Sequence, residues 1–408
     1  MFVAYSLPVE PMRKNVAKSV EMMLNQREYW SWLGTGKLSY TISDGFSDAI
    51  MLSNATFDDN GNTSTINKAM LNPRGKIENK ANARIEALAM QIGAIEKNDS
   101  YHIQNYSRYW HGYLIFLKPL LMIFNVAQIR LINFFIQFIL TIIVILKFFS
   151  LTNYKYALAF ACSLLVIDPV STAVCFHYSD VYYITMISIL IIMFRINSLG
   201  KNSGYIYLFL LNGVCIAFFD LLTYPVTALG LPLTIFLIIN NCGTLKQNLY
   251  KIFQSSVAWV FGYMGMWAGK WIMSSILTNY NTLADALNQV IFRIAGKVDS
   301  LGGTVTWKLV FQNITRFKHL WPAIFLFCIV LVLIPVIIFV ARKLRNSYTS
   351  IIPIYFMSFY PFIWFGIVQN HSIIHGFTHK SLSITIFAVL CVIIKCTGDK
   401  NFNAQQIR

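Results

Sequence analysis

The chain has 408 residues, 56% of them hydrophobic and 15% aromatic, with only 12% charged, and its mean hydropathy is +0.55. No water-soluble domain covers that much apolar side chain, so the composition describes an all-α integral membrane protein with several spans. The net charge of +16 is spread over many loops rather than gathered in one patch, which argues against nucleic acid and for an anionic membrane surface and an anionic lipid substrate.

Residues 1–111 read as a helical and loop region outside the membrane. Within it, Ser43-Asp44-Gly-Phe-Ser-Asp48 sets two carboxylates four apart, hence on one face if helical. They are candidate acid–base groups, and the competing reading is an N-cap followed by a first-turn acid. At 84–97 the apolar Ile85, Leu88, Ala89, Ile92 and Ile95 predict a helix docked by one face. Tyr106-Ser-Arg108-Tyr109-Trp110-His111-Gly112-Tyr113 is an aromatic girdle at the membrane entry.

A Pro-interrupted stretch at 112–126 reads as a re-entrant or interfacial segment. Apolar runs follow at 131–149, 156–171, 181–194, 205–219, 226–240, 254–277, 321–341, 350–368 and 379–395, predicting about nine spanning helices against the ~20 residues a straight span needs. They divide into a bundle over 112–277 and another over 321–396, with a cytoplasmic tail at 397–408. Between the bundles, the 278–320 loop carries Leu283, Leu287, Val290, Ile291 and Ile294 on one stripe, predicting a helix along the membrane surface. The seven cysteines lack metal-ligand spacing and read as apolar fillers, and no Walker loop, dinucleotide fingerprint or repeat is present.

Positive loops fix the orientation. Arg195 and Lys201, Lys246 and Lys251, and Arg342, Lys343 and Arg345 mark three cytoplasmic connections. The 176–180 and 220–225 turns, the 278–320 loop and the 369–380 connection then face outside, together with 1–111 if 112–126 dips without crossing. Asp168, Asp180, Asp220 and Lys270 fall at that same outer level, and Gln369–Lys380 adds His371, His375, His379 and Lys380. Ionisable groups at such depth normally line a hydrated, protein-walled cavity. Each alone can also be a helix-end charge reaching for water.

The stretches SDGFSDAIML, RYWHGYLIFLKPLL, FDLLTYPVTALGLPL, WAGKW and NHSIIHGFTHK, in this order, resemble a family of multi-pass proteins found among bacterial surface-polysaccharide genes. That family is similar in layout to the GT-C glycosyltransferases. The resemblance implies a bacterial cell-membrane location with an extracytoplasmic active face, a polyprenyl-phosphate-linked sugar as donor, a glycan acceptor, and an acid in the first external loop, here Asp44 or Asp48. It also implies a spanning helix ahead of that loop, which this sequence lacks, and an arginine where Lys380 stands. It names no certain cofactor and leaves a divalent cation open.

The residue inventory fits such chemistry. Asp44 or Asp48 supplies the base; Arg108, His111, Lys270, Arg293, Arg316, His371, His375 and Lys380 form the pool for phosphate contacts, with Asp220 beside them. Trp110, Tyr113 and Tyr224 are available to stack on sugar. A polysaccharide polymerase or ligase, or a lipid-linked-sugar flippase, is the alternative; a secondary transporter comes third, since no inverted repeat is seen.

Overall fold

The computed structural model describes residues 1–32, 42–78, 82–201, 203–240, 243–294, 297–298, 303–304 and 348–396. Over these the chain is helical, with three short antiparallel strand pairs and no larger sheet. The apolar stretch at 321–341, Arg316 and the tail at 397–408 lie outside the described residues.

The N-terminal layer has its own core. Helix α1 (Phe2–Tyr5) precedes α2 (Glu10–Gln26), whose Met12, Val16, Val20 and Met23 recur at helical spacing and are buried. They meet α3 (Gly45–Thr56), α4 (Thr65–Leu71) and α5 (Ala83–Gln91) through Met51, Leu52, Ala69, Ile85 and Leu88. The expected 84–97 helix stops early. Gly93 follows at φ +76°, a left-handed turn that ends the helix and leaves Ile95 exposed. Helix α6 (Leu114–Ile123) is the 112–126 segment: it contributes Leu114, Leu117 and Leu121 to this core and exposes Ile115, Phe116 and Ile123 on its other face.

The bundle comprises α7 (Val126–Leu151), α8 (Tyr154–Leu164), the short α9 (Pro169–Val174), α10 (Phe176–Lys201), α11 (Gly204–Phe219), α12 (Val226–Ile239) and α13 (Leu245–Leu277). After the surface helix α14 (Thr282–Ile294) the description resumes with α15 (Tyr348–Met357), α16 (Tyr360–Ile367), α17 (Gln369–Ile374), a 3₁₀ turn (Gly376–Leu382) and α18 (Ser383–Cys396). Every residue of α12 is buried, so α12 is the axis around which the others pack. Four stretches are long and apolar enough to cross a membrane: Val126–Leu151, Phe176–Gly200, Thr349–Ile367 and Gly376–Cys396. The apolar helices α8, α11 and α12 are shorter, and α13, long enough at 33 residues, is diluted by Ser, Gln, Gly and Lys.

Large apolar side chains stay exposed along α7, among them Leu131, Phe135, Phe138, Ile142 and Leu146, and along α13, among them Phe253, Phe261, Met264 and Ile276. Patches of that size fit hydrocarbon rather than water, and the protein is a membrane protein.

Helices α11 and α13 touch through backbone. A Cβ on Gly213 would stand 2.2 Å from the Trp259 carbonyl oxygen, and one on Gly262 2.2 Å from that of Leu210. Neither neighbour is a side chain that can swing away. Gly262→Ala is therefore expected to destabilise by about 1–3 kcal/mol or more through overpacking, whereas Gly265→Ala, whose Cβ meets nothing within 4 Å, should melt like the parent. Equal melting of the two purified variants would contradict this close approach.

Candidate functional site

The strand pair Tyr29–Ser31 and Ile42–Asp44 ends on the residue that starts α3. Asp44 caps that helix, accepting from the Ser47 amide at 2.9 Å and the Ser47 hydroxyl at 3.1 Å. One turn later Asp48, fully buried, accepts from the Phe176 amide at 2.8 Å and from Arg130 Nη2 at 3.1 Å. Arg130 also donates to Gln26 Oε1 at 2.9 Å. Asp48 thus sits at the head of α10, where unsatisfied amides and the helix dipole favour an anion.

His177 lies between the two carboxylates. Its Nε2 is 3.4 Å from Asp44 Oδ2 and its Nδ1 is 3.9 Å from Asp48 Oδ1. Neither nitrogen has a hydrogen-bond partner among the described residues, and the ring is only 1% exposed. Burial pushes the Asp44 carboxyl above the ordinary carboxylate range, and His177 and the Ser47 hydrogen bonds partly offset it. The cysteine before this segment, Cys175, accepts the Asp44 amide at 3.2 Å.

A run of rings joins this centre to the histidine-rich turn. Phe377 packs edge-on to His177 at 5.4 Å and Tyr178 at 5.8 Å, and stacks on His375 at 5.0 Å. His375 lies 4.5 Å from His371. His371 Nε2 is 2.7 Å from the Leu222 carbonyl oxygen, an acceptor, so Nε2 carries the proton and Nδ1 receives the Arg293 guanidinium of α14. Burial first, then Arg293 and His375, holds His371 well below the usual histidine range, hence neutral. Lys380 donates to the Ile167 carbonyl with its ammonium 4.5 Å from the centre of the Tyr178 ring. Asp168, at φ +52°, caps α9 through the Ser171 amide at 3.3 Å and accepts from Trp32 Nε1 at 3.2 Å. The Tyr224 hydroxyl donates to the Tyr178 carbonyl at 2.7 Å. Asp220 accepts the Thr223 amide at 2.9 Å, and burial pushes its carboxyl up to about 6.

The structure therefore gathers Asp44, Asp48, Tyr224, His371, His375 and Lys380 at one end of the bundle, with Asp220 on the adjoining turn. The chain matches no family model, no curated protein and no solved structure. Among the described residues no group of three or more His, Cys, Asp or Glu has a metal-holding arrangement.

Four of the expected substrate contacts form a separate cluster. Lys270 donates to the carbonyls of Ala69 and Met70 at 3.1 and 2.8 Å, supplying a cation to the unpaired C-terminal end of α4, and lies 5.3 Å from the Trp110 ring centre. Trp110 donates to the Met266 carbonyl at 2.7 Å, and Arg108 holds both Asp285 oxygens, at 3.1 and 2.9 Å. His111, at φ +55°, lies 2.8 Å from both the Tyr113 hydroxyl and the Tyr106 carbonyl oxygen. Lys270, Trp110 and Arg108 fasten the N-terminal layer to α13 and α14, and His111 braces the layer from within.

Burial lowers His111 to about 3. The unfolded chain takes up that proton below ~6.5, so the stabilisation is whole at neutral pH and is lost as pH falls from there toward the folded value. Between pH 7 and pH 5 the loss is about 2 kcal/mol. The melting temperature should fall over that interval and fall less in His111→Gln; parallel profiles would refute a buried, neutral His111.

His177 and Arg130 were not distinguished by the sequence. The only signal was for His177, through the placing of the 176–180 turn on the same outer side as residues 1–111.

Proposed function

We propose that this chain is a GT-C-like membrane glycosyltransferase, moving a sugar from a polyprenyl-phosphate donor to a cell-surface glycan or lipid-linked acceptor at the extracytoplasmic end of the bundle. One observation carries the reading: a buried carboxylate, Asp44, faces His177, an imidazole without a hydrogen-bond partner among the described residues, in the same contact chain as the cations Arg293 and Lys380 and the neutral His371. The related topology is α7, α8, α10, α11, α12, α13, the α15–α16 rod and α18 as the crossing helices among the described residues.

In the reaction the acceptor hydroxyl loses its proton to Asp44 as its oxygen bonds to the sugar's anomeric carbon. The bond from that carbon to the phosphate oxygen breaks, and the departing polyprenyl phosphate keeps the electron pair. Arg293 and Lys380 stabilise that anion, His375 lends a hydrogen bond, and His371 holds the Arg293 guanidinium in place. Asp44 is favoured over Asp48 because Asp48 is held in a buried ion pair by the Arg130 guanidinium, whereas Asp44, among the described residues, accepts only from the neutral groups of Ser47 and faces His177. A raised carboxyl also makes a better base near neutral pH.

The test is transfer by purified protein in proteoliposomes supplied with polyprenyl-phosphate sugar, read as a new glycosidic bond by mass spectrometry. Movement of the lipid without such a bond would favour a flippase instead.

A further inference from the structure

Trp259, Tyr263, Trp267 and Trp271 recur every fourth residue and form an aromatic ladder along one face of α13. Successive ring centres are 4.8, 5.1 and 5.8 Å apart. Two more rings stand edge-on to it: Tyr109 against Trp267 at 5.6 Å, and Trp364 of α16 against Tyr263 at 6.3 Å.

Aromatic packing by itself describes a core, and the polar tips say more. At the ends of the ladder they are satisfied: Trp259 donates to Asn212 Oδ1 and Trp271 to the Arg108 carbonyl, both at 2.9 Å. In the middle they are not. The Tyr263 hydroxyl and the indole N–H groups of Trp267 and Trp364 are buried atoms with no hydrogen-bond partner among the described residues, and Tyr263 as a whole is only 6% exposed. Buried donors are nearly always paired, so three donors in one aromatic patch without a partner among the described residues are a place for a ligand's acceptors.

A lipid tail brings no acceptors, and inorganic phosphate brings no apolar face. A pyranose ring brings both: hydroxyl oxygens around its rim and C–H faces that lie flat on indole or phenol. Asp220 and Arg293, at the candidate site, lie near enough to Tyr263 to act on it electrostatically, so the patch neighbours the proposed reaction centre. We infer that Tyr263, Trp267 and Trp364 form a carbohydrate-binding site for a pyranose ring. That this ring is the transferred or accepting sugar rests on the transferase reading; the binding itself does not.

The test uses the full protein in nanodiscs and saturation-transfer NMR with methyl glycosides of hexoses, 6-deoxyhexoses and N-acetylhexosamines. At least one glycoside should receive saturation on its ring C–H protons. Trp267→Phe and Tyr263→Phe keep an aromatic face and drop the donor, so each should weaken the dissociation constant roughly 2–10-fold, at unchanged melting temperature. Absence of transfer to every glycoside, or unaltered binding in both variants, would overturn the inference. The two proposals fail separately. Asp44→Asn should slow sugar transfer by orders of magnitude yet leave glycoside binding intact; ladder-dependent binding without any enzymatic transfer by the parent would keep this site and remove the transferase.

Discussion

Asp44→Asn should lower the rate of glycosyl transfer by roughly 10²–10⁴-fold, the range that a positioned general base supplies. Folded protein should remain near the parental level. Asparagine is as good an N-cap as aspartate and keeps an oxygen for the Ser47 amide, so α3 retains its start. The variant removes a proton acceptor and little else. Burial lifts the Asp44 carboxyl, so the acid limb of the parental pH–rate profile should lie above the ordinary carboxylate range. Activity should be lost as pH falls through that limb, because the base must be unprotonated. Initial rates in proteoliposomes check both statements. A variant within a few-fold of the parent would leave Asp44 as a helix cap alone.

Much of the fold was legible because apolar runs and their interruptions are local. The stripe over Leu283, Leu287 and Ile291 became α14, with those three side chains exposed as a surface helix in lipid requires. The Pro-interrupted stretch became α6, seated by one face on the N-terminal core. The site was only half legible. A buried ammonium such as Lys270 announces that it needs partners, and a sequence cannot say that these are the carbonyls of Ala69 and Met70, two hundred residues away. The same holds for Arg108 and Trp110, which the residue types offered as ligand contacts and the packing uses as fasteners, and for His111, which among the described residues bonds only to Tyr106 and Tyr113 beside it. Conversely, the capping and catalytic readings of Asp44 and Asp48 looked exclusive in sequence. In the fold Asp44 caps α3 while also facing His177, and Asp48 holds Arg130 instead.

That last pair carries the largest stability effect. Asp48 is fully buried and Arg130 is 6% exposed, and their 3.1 Å contact ties α7 to the N-terminal layer. In Asp48→Asn the side chain keeps an oxygen for the Phe176 amide, while Arg130 loses its counter-ion in a setting where water cannot replace it. Stranding one member of a buried pair destabilises by about 3–5 kcal/mol, so purified Asp48→Asn should melt several degrees below both the parent and Asp44→Asn. Arg130→Gln strands the carboxylate and should do the same. The double variant Asp48→Asn/Arg130→Gln leaves no unpaired charge, so its loss should be smaller than the two single losses added together. Additive losses would mean that the two side chains act through different neighbours. An Asp48→Asn protein that melts like the parent would return Asp48 to the pool of possible bases and reopen the choice between the two carboxylates.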